Sequence, residues 1–408
     1  RTPFRVSGRL SGSVPGEMAD AKTPAVKSPR RALYSPKGNF VTVTDPQKQG
    51  GGMTGYTDYA VTTFLEGHNK IVVRRRYKNF LWLRHALMQM VPGFPVPALP
   101  PKSNPFSFKK LKTERVLGLE WFINSVLYNP YLARNPVFKH FLTDTGDFAA
   151  RQKTEDANMK SFDPVLIINQ RYLTDYKIKC LEGYTPPAQT DIRAADDKVT
   201  IVKLVAFARE YEKALRNFLT LAQQQIGRVS TTLESVEEVL AKLDSVKNVE
   251  NKNGTKPNHF KKYDVGAVMT KWKAILETRP EAYNEIVGCF HMDLHEIHGL
   301  LDAIAFRKSL ANMFKKCHKN VERWKSKPAN GEAAEAKEKE DRIRLRQLTQ
   351  ALDVCDKLLL GFHISNFFED SYRRFELIVH SFAKDQLKVA QEEVTFWKTL
   401  HSDLATSH

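Results

Sequence analysis

The sequence predicts an N-terminal α+β unit, followed by an all-α region of three long coiled-coil helices. Between residues 39 and 77, β-branched and aromatic residues alternate with polar ones in three short runs, as in a half-buried antiparallel sheet. A helical pattern and a proline-rich segment follow. From about residue 198 to 404 proline is almost absent, and apolar residues recur every three or four positions.

The three strands are predicted in "NFVTVTDP", "YTDYAVTTF" and "NKIVVRRRY". Glycines at 50–52 and "EGHN" at 66–69 separate them, as turns do. A helix follows in "YKNFLWLRHALMQMV" and ends at Pro92-Gly93. The next segment, "GFPVPALPPKSNP", cannot form regular helix or central strand because its prolines lack amide donors. Helices at about 110–129 and 134–143 complete the unit.

The three long helices are separated by loops near 251–258 and 326–332. In the third helix the apolar pattern shifts phase near Phe362 and then continues from Phe368. Each helix would be on the order of 80–100 Å long, and one such coil leaves much of its apolar seam uncovered. The pattern therefore predicts a dimer.

The linker between the two regions has its own apolar pattern in residues 161–181. Apolar or aromatic side chains fall at 165, 168, 172 and 176, with basic residues nearby. Two interpretations stay open. The segment is either an amphipathic helix that wedges into a membrane interface, or a linker helix that packs on the coil.

The excess of positive charge is concentrated in the N-terminal part. The 408 residues include 63 Lys and Arg against 46 Asp and Glu, a formal net charge of +17. Residues 1–150 hold 22 basic and 9 acidic side chains, and residues 151–408 hold 41 and 37. This distribution predicts a polyanionic partner, either nucleic acid or an acidic membrane surface, bound mainly by the N-terminal part.

No apolar run approaches the ~20 residues of a membrane span, so we expect any membrane contact to be peripheral. Residues 1–37 are rich in Ser, Pro and basic side chains and are predicted to be disordered. Met18 is a possible native start, which would make residues 1–17 a leader. The four cysteines lie far apart without a CxxC pair, as in a reduced cytoplasmic protein.

Motifs for catalysis or cofactor binding are missing from the sequence. There is no GxSxG, phosphate loop or paired Cys/His arrangement, so we expect neither an enzyme nor a cofactor. "HMDLHEIH" could place His291, His295 and His298 on one helix face, as metal ligands lie. It is not HExxH, and its Leu294 and Ile297 belong to the coil seam, so no metal site is expected.

The run Arg74-Arg75-Arg76 before Tyr77 has two interpretations. It is either the solvated end of a basic strand or part of an anion pocket, because arginine forks match phosphate oxygens and a tyrosine ring can stack on a sugar-like ring. Lys102 follows the proline-rich segment and Arg115 opens a helix. Convergence of Arg76, Tyr77, Lys102 and Arg115 would form a pocket for one phosphorylated ring.

Three motifs carry a resemblance to a known family. "RRRYKNFLWL", "VPALPPK" and "ERVLGLEWFINSVL", the last followed by "NPVFKHFL", resemble in order and spacing the PX domain, the phosphoinositide-binding module of sorting nexins. The resemblance covers about residues 38–145 and implies the fold of that domain.

The resemblance also implies roles for individual residues. Arg76 would bind the 3-phosphate of phosphatidylinositol 3-phosphate, Tyr77 would stack on the inositol ring, Lys102 would hold the 1-phosphate, and Arg115 would bind the 4- and 5-hydroxyls. Arg74 and Arg75 would be strand and surface charge. One departure is Asn79, where the family usually has an acid, and its loss is expected to affect local support more than ligand contact. Phe106 and Phe108 lie where such domains insert apolar side chains into the bilayer, although a local core pair is equally compatible.

A PX domain followed by about 200 residues of long helices is similar to the sorting nexins that carry a BAR domain, a crescent-shaped dimer. The implied domains are 38–145 (PX), 146–197 (linker) and 198–408 (BAR). A membrane-bending crescent needs cationic ends, and the end of the second helix is basic. The predicted membrane-contact tip comprises Lys315, Lys316, Lys319, Arg323, Lys325 and Lys327, with Arg307 and Lys308 preceding it. A merely solvated helix face is the alternative.

Two functional hypotheses follow. The first is a peripheral protein of endosome membranes that binds phosphatidylinositol 3-phosphate and acidic lipid. It would dimerise with itself or with a related sorting nexin, form a possible higher oligomer or coat, and sense or generate tubule curvature in endosomal sorting. The second is a protein-interaction adaptor whose PX domain docks partners and whose coil is a dimer scaffold. Nucleic acid is not an expected partner, because the aromatic interleaving of single-strand binders is missing.

Overall fold

The computed structural model describes most of the chain. The described residues are 39–51, 55–64, 70–101, 108–176, 178–187, 196, 199–252, 265–326 and 330–405. The predicted disordered tail, 1–37, lies outside them.

The N-terminal unit contains the predicted three-stranded sheet. Strands β1 (Phe40–Gln49), β2 (Tyr56–Phe64) and β3 (Ile71–Arg76) are antiparallel in the order β1-β2-β3. Val61 pairs with Val43 on one side and with Val73 on the other, and all three side chains are buried. The prediction of a three-stranded antiparallel sheet is confirmed.

Helices cover the sheet and lead into the linker. They are α1 (Tyr77–Met90), α2 (Phe108–Tyr128), α3 (Pro130–Ala133), α4 (Pro136–Thr143), α5 (Phe148–Met159) and α6 (Pro164–Ile167). A π-helical turn, Ile168–Tyr172, and a 3-10 turn, Lys179–Leu181, follow. Asn129 and Asn135 cap α3 and α4 by accepting backbone N–H bonds, and a proline opens each of these two helices.

The helical region consists of α7 (Val199–Lys252), α8 (Val265–Ser326), α9 (Glu332–Leu358) and α10 (Ile364–Ala405). A π-helical turn, Leu359–His363, joins α9 to α10, so the two form one continuous third helix. The wider turn rotates the apolar stripe, which accounts for the predicted phase shift near Phe362. The prediction of three long helices is confirmed. None of the described helices is long and apolar enough to cross a bilayer.

The two regions share one apolar core. Phe80 and Phe122 of the α+β unit belong to the same buried cluster as Phe314 of α8 and Leu352 of α9. The linker joins this cluster, because Val165, Ile168 and Tyr172 are fully buried, and Asn169 donates from Nδ2 to the Gln347 carbonyl at 2.8 Å. These apolar side chains are therefore packed inside the protein, as the linker-helix interpretation expects, and present no face to a bilayer. The boundaries 38–145, 146–197 and 198–408 stay predictions.

A buried polar network joins the three long helices. Arg374 of α10 donates from Nε to Asp293 Oδ1 at 2.8 Å and from Nη2 to Glu296 Oε2 at 2.6 Å. Ser371 and Tyr211 both donate to Asp293 Oδ2 at 2.9 Å. Desolvation raises the pKa of Glu296 and of Tyr211, the latter to about 12. The network fixes the register of the helices, because a shift would leave buried charges unpaired.

The histidines of "HMDLHEIH" lie at the α8 surface that faces α7 and the α+β unit. His298 lies 3.0 Å from Glu212 of α7, and His291 stacks on Trp121 of α2. Hydrogen bonding to His298, and then to Arg216, lowers the pKa of Glu212. Across the described part of the chain, no three His, Cys, Asp or Glu side chains are grouped as metal ligands.

Candidate functional site

The arginine run divides into three environments at the junction of β3 and α1. Arg74 is engaged by carboxylates: it donates from Nε to Asp58 at 2.9 Å and from Nη1 to Asp45 at 2.8 Å. Its hydrogen bond to Asp58 is the main cause that raises its pKa. Arg74 is therefore a paired surface charge, in agreement with the prediction.

Arg75 is not a surface charge, which corrects the prediction for this residue. Its side chain is 3% exposed and donates to the carbonyls of Phe141 at 3.0 Å, Asp144 at 2.6 Å and Arg74 at 2.9 Å. The guanidinium also lies 4.0 Å from the centroid of the Phe148 ring. Burial lowers the pKa of Arg75 to about 10, so it stays cationic at neutral pH. It joins β3 to α4 and α5.

Arg76 ends β3 and precedes the first residue of α1. Its backbone N–H donates to Asn79 Oδ1 at 2.8 Å, and Asn79 donates from Nδ2 to Gln152 Oε1 at 3.2 Å. Asn79 Oδ1 thus takes the place of the carboxylate oxygen that an acid would supply at this position. Its hydrogen bond holds the backbone at the junction of β3 and α1, from which the Arg76 side chain extends. The guanidinium of Arg76 lies 5.4 Å from the centroid of the Tyr56 ring, with no acceptor for it among the described residues.

Tyr77 connects Arg115 to the proline-rich segment. Its hydroxyl donates to the Pro100 carbonyl at 2.7 Å, and the guanidinium of Arg115 lies 5.3 Å from the centroid of its ring. Desolvation raises the pKa of Tyr77, so the hydroxyl keeps its proton. The Nε and Nη2 atoms of Arg115 are buried, and no hydrogen-bond acceptor for them occurs within the described ranges.

Of the four predicted pocket residues, Arg115 lies against the Tyr77 ring, and Arg76 directly precedes Tyr77 in the chain. Arg76 lies against the Tyr56 ring and Arg115 against the Tyr77 ring, and neither guanidinium is paired with a carboxylate among the described residues, which leaves their N–H donors for an external anion. Lys102 lies outside the described residues.

The residues predicted to contact a membrane lie in several environments, and their contact with a membrane stays a prediction. Phe106 and Lys327 lie outside the described residues, as does the side chain of Phe108, the first residue of α2. Lys316, Lys319 and Arg323 are exposed near the end of α8. Two further members of the tip are exposed but paired: Lys315 with Asp196 at 2.9 Å and Lys325 with Glu322 at 2.7 Å.

Arg307 does not belong to a membrane-facing surface, which corrects the prediction. It is 1% exposed and donates from Nε to Asp356 Oδ1 at 2.9 Å and from Nη2 to the Asp196 carbonyl at 3.0 Å. It joins α8 to α9 and to Asp196, which precedes α7 in the chain.

Sequence reasoning missed Tyr56, Gly118 and Gly299 as residues that shape the site. Tyr56 could have been found from the β2-β3 register, which pairs Asp58 with Arg76 and places Tyr56 two residues beyond. A Cβ on Gly118 would lie 2.8 Å from the Pro100 ring, and one on Gly299 would lie 2.7 Å from the Val96 carbonyl oxygen. The sequence carries no comparable signal for these two close approaches.

Comparison with known proteins gives one family model, the PX domain, which matches residues 64–145. Mouse sorting nexin-18 is 28% identical over 201 residues, which is 45% of this chain and 32% of that protein. Sorting nexin-30 of Xenopus tropicalis is 24% identical over 306 residues, which is 62% of this chain and 66% of that protein. The matched segments thus span less than two thirds of these relatives.

A solved structure extends the similarity to the helical region. The cryo-EM structure of the SNX-BAR Mvp1 tetramer matches with a TM-score of 0.58 at 18% sequence identity. The match covers 88% of this chain and 99% of that one, so the fold of both regions is shared.

Proposed function

Because this chain is a sorting nexin of the PX-BAR type, we propose that it is a peripheral membrane protein that recognises phosphatidylinositol 3-phosphate on endosomes. The observation that carries the proposal is the pair Arg76 and Arg115. Each guanidinium lies against a tyrosine ring, and neither has an acceptor among the described residues.

The proposed roles follow the chemistry of the headgroup. Arg76, at the strand end, binds the 3-phosphate, and the ring of Tyr77 packs against the inositol. Arg115 donates to the 4- and 5-hydroxyls, and Lys102 binds the 1-phosphate. Phosphate is the strongest acceptor of the set, and an arginine fork can donate two parallel hydrogen bonds to it.

Vesicle flotation of Arg76→Ala tests this proposal. The variant is compared with Arg74→Ala on vesicles that contain phosphatidylinositol 3-phosphate. Both changes remove one positive charge from adjacent positions, but Arg74 is already occupied by Asp45 and Asp58. We expect Arg76→Ala to lose at least about tenfold in affinity, the loss of a charged hydrogen-bonded contact, and Arg74→Ala to bind as the wild type does.

Equal binding by both variants would remove the pocket assignment and favour the adaptor hypothesis, in which this domain docks protein partners. Equal losses in both variants would instead indicate binding by diffuse charge.

We further propose that the chain self-associates, or pairs with a related sorting nexin, through α7 and α10. Large apolar side chains are exposed on both helices, among them Phe207, Phe218, Leu221, Tyr372, Phe375 and Trp397. Such a stripe on long helices is typical of an unfilled coil interface. In analytical ultracentrifugation, Tyr372→Glu is expected to sediment as a smaller species, whereas Val72→Glu, at an exposed apolar residue of β3, is expected to sediment as the wild type does.

The membrane-contact role of Lys316, Lys319 and Arg323, and bilayer insertion by Phe106 and Phe108, complete the proposal. Two headgroup pockets and two basic tips on one dimer would bind far more tightly than one alone. Electron microscopy of vesicles with and without phosphatidylinositol 3-phosphate tests remodelling. Tubules are the expected result, and undeformed vesicles at saturating protein would remove curvature generation while leaving lipid recognition intact.

A further inference from the structure

The proline loop, residues 95–101, contacts both the candidate headgroup site and helix α8. On the α8 side, the Ala98 N–H donates to the His295 carbonyl at 2.9 Å. One turn further along α8, the Val96 carbonyl lies directly over Gly299. A Cβ at Gly299 would be 2.7 Å from that oxygen and 2.9 Å from the carbonyl carbon. Backbone atoms would have to move for any side chain to fit, so only glycine admits this close approach.

Arg84 of α1 adds a second tie between the loop and α8. It donates from Nε to the Pro97 carbonyl at 2.9 Å and from Nη2 to the Val96 carbonyl at 3.2 Å. The same guanidinium forms an ion pair with Asp302, one turn beyond Gly299 on α8. The first half of the loop is therefore held on α8 by three groups.

The second half of the loop is held by the candidate site. The Pro100 carbonyl accepts the Tyr77 hydroxyl at 2.7 Å. The Pro100 ring packs on Gly118, where a Cβ would lie 2.8 Å from the ring carbon. Gly118 is one turn after Arg115, so Pro100 contacts the helix that carries the arginine proposed to bind the inositol hydroxyls.

The loop is too short and too stiff to absorb a displacement between these two attachments. Only one residue, Leu99, separates Ala98 from Pro100, and proline fixes φ at four of the seven positions. A shift of the Val96 carbonyl away from α8 must therefore reach Pro100, and through it Tyr77 and Gly118.

We propose that Gly299 is a positioning residue for the headgroup site: its missing side chain lets the proline loop pack on α8 in the position that sets Tyr77 and Arg115 around the ligand. The inference rests on the proposed function, since it concerns the same site. It adds that headgroup recognition depends on α8, a helix that does not itself contact the headgroup. By linkage, ligand binding should in turn stabilise the packing of the proline loop on α8.

Calorimetric titration of soluble dibutanoyl phosphatidylinositol 3-phosphate into the full chain tests the proposal. Gly299→Ala is expected to weaken binding at least about fivefold, the lower range of coupling between distinct sites. Two glycines offer matched controls. At Gly227 of α7 a Cβ meets nothing within 4 Å, and at Gly288 of α8 it would meet the Trp121 ring at 2.9 Å rather than the loop.

Gly227→Ala is expected to leave affinity unchanged and to raise thermal stability slightly, because alanine is favoured over glycine in an exposed helix interior. Gly288→Ala is expected to lower the thermal midpoint, because it disturbs the contact of α8 with α2, while affinity stays within about twofold of wild type. If Gly299→Ala fails to fold, Asp302→Asn offers a second variant. It weakens the ion pair through which Arg84 ties the proline loop to α8, without steric strain, and is expected to weaken binding about threefold.

The reverse coupling gives an independent readout. Saturating soluble headgroup should slow hydrogen exchange at the Ala98 amide, which bonds α8, in the wild type. Wild-type affinity in both Gly299→Ala and Asp302→Asn, or unchanged exchange at Ala98 under saturation, would overturn the inference while leaving the proposed function standing. A wild-type chain that does not bind the headgroup would overturn the proposed function, and the inference with it.

Discussion

Arg75→Ala is predicted to destabilise the chain without a direct effect on the headgroup site. The buried guanidinium makes three hydrogen bonds of 3.0 Å or shorter to backbone carbonyls and stacks on the Phe148 ring. Hydrogen bonds from a charged donor contribute about 1.5–3 kcal/mol each, and a desolvated cation–π contact adds about 2 kcal/mol. The cost of burying the charge, seen in the lowered pKa, offsets part of this sum.

We therefore expect a net loss of about 3 kcal/mol, within a range of about 2–5 kcal/mol for large buried truncations. Urea denaturation followed by tryptophan fluorescence measures it, with Arg74→Ala as the control. That neighbour is a partly exposed ion pair and is expected to cost about 1 kcal/mol or less. A loss below about 1 kcal/mol for Arg75→Ala, or equal losses in the two variants, would refute the assignment of Arg75 as a structural residue.

Three further predictions concern stability and pH. Arg374→Ala is expected to cost about 3–5 kcal/mol in urea denaturation, because it leaves the buried Asp293 and the half-buried Glu296 without their charged partner. The exposed neighbour, changed as Arg373→Ala, should cost under about 0.5 kcal/mol, and similar losses in the two variants would contradict the network. Asn79→Ala is expected to lower the unfolding free energy by about 1 kcal/mol through loss of the α1 cap, and Asn79→Asp to restore it; an uncapped Ala variant as stable as wild type would argue against this role. Glu212 has a pKa below its unfolded value of 4.5, so its stabilising contribution is complete above that pH and is lost as pH falls through the folded pKa. The wild type should therefore exceed Glu212→Gln in thermal midpoint at pH 6, and the difference should shrink toward pH 3; a constant difference would contradict the pair.

The sequence predicted the elements well because their periods are unambiguous. Alternation over residues 39–77 predicted the strands, and apolar spacing of three and four predicted the long helices, of which the first two are 54 and 62 residues long in the structure. The π-helical turn at Leu359–His363 was also visible in the sequence, as a phase shift in the apolar pattern. Local periodicity carries this information within each element.

The roles of the arginines were only partly predictable. Successive residues of a strand point to opposite faces, so Arg75 had to lie on the face opposite Arg74 and Arg76, and the alternation contained that signal. Arg307 had no such signal, because its partner Asp356 lies 49 residues away and meets it only when α8 packs on α9. Close approaches such as Val96 over Gly299 likewise exist only in the assembled fold.

The central claim is that Arg76 binds the phosphate at one position of the inositol ring, the 3-position, selectively. Vesicle flotation with the 3-, 4- and 5-monophosphate isomers of phosphatidylinositol, which carry equal charge, tests it most directly. The predicted result is a preference of at least about tenfold for the 3-phosphate isomer, about the contribution of one charged hydrogen-bonded contact, and loss of that preference in Arg76→Ala but not in Arg74→Ala. Equal binding of the wild type to all three isomers would contradict the account.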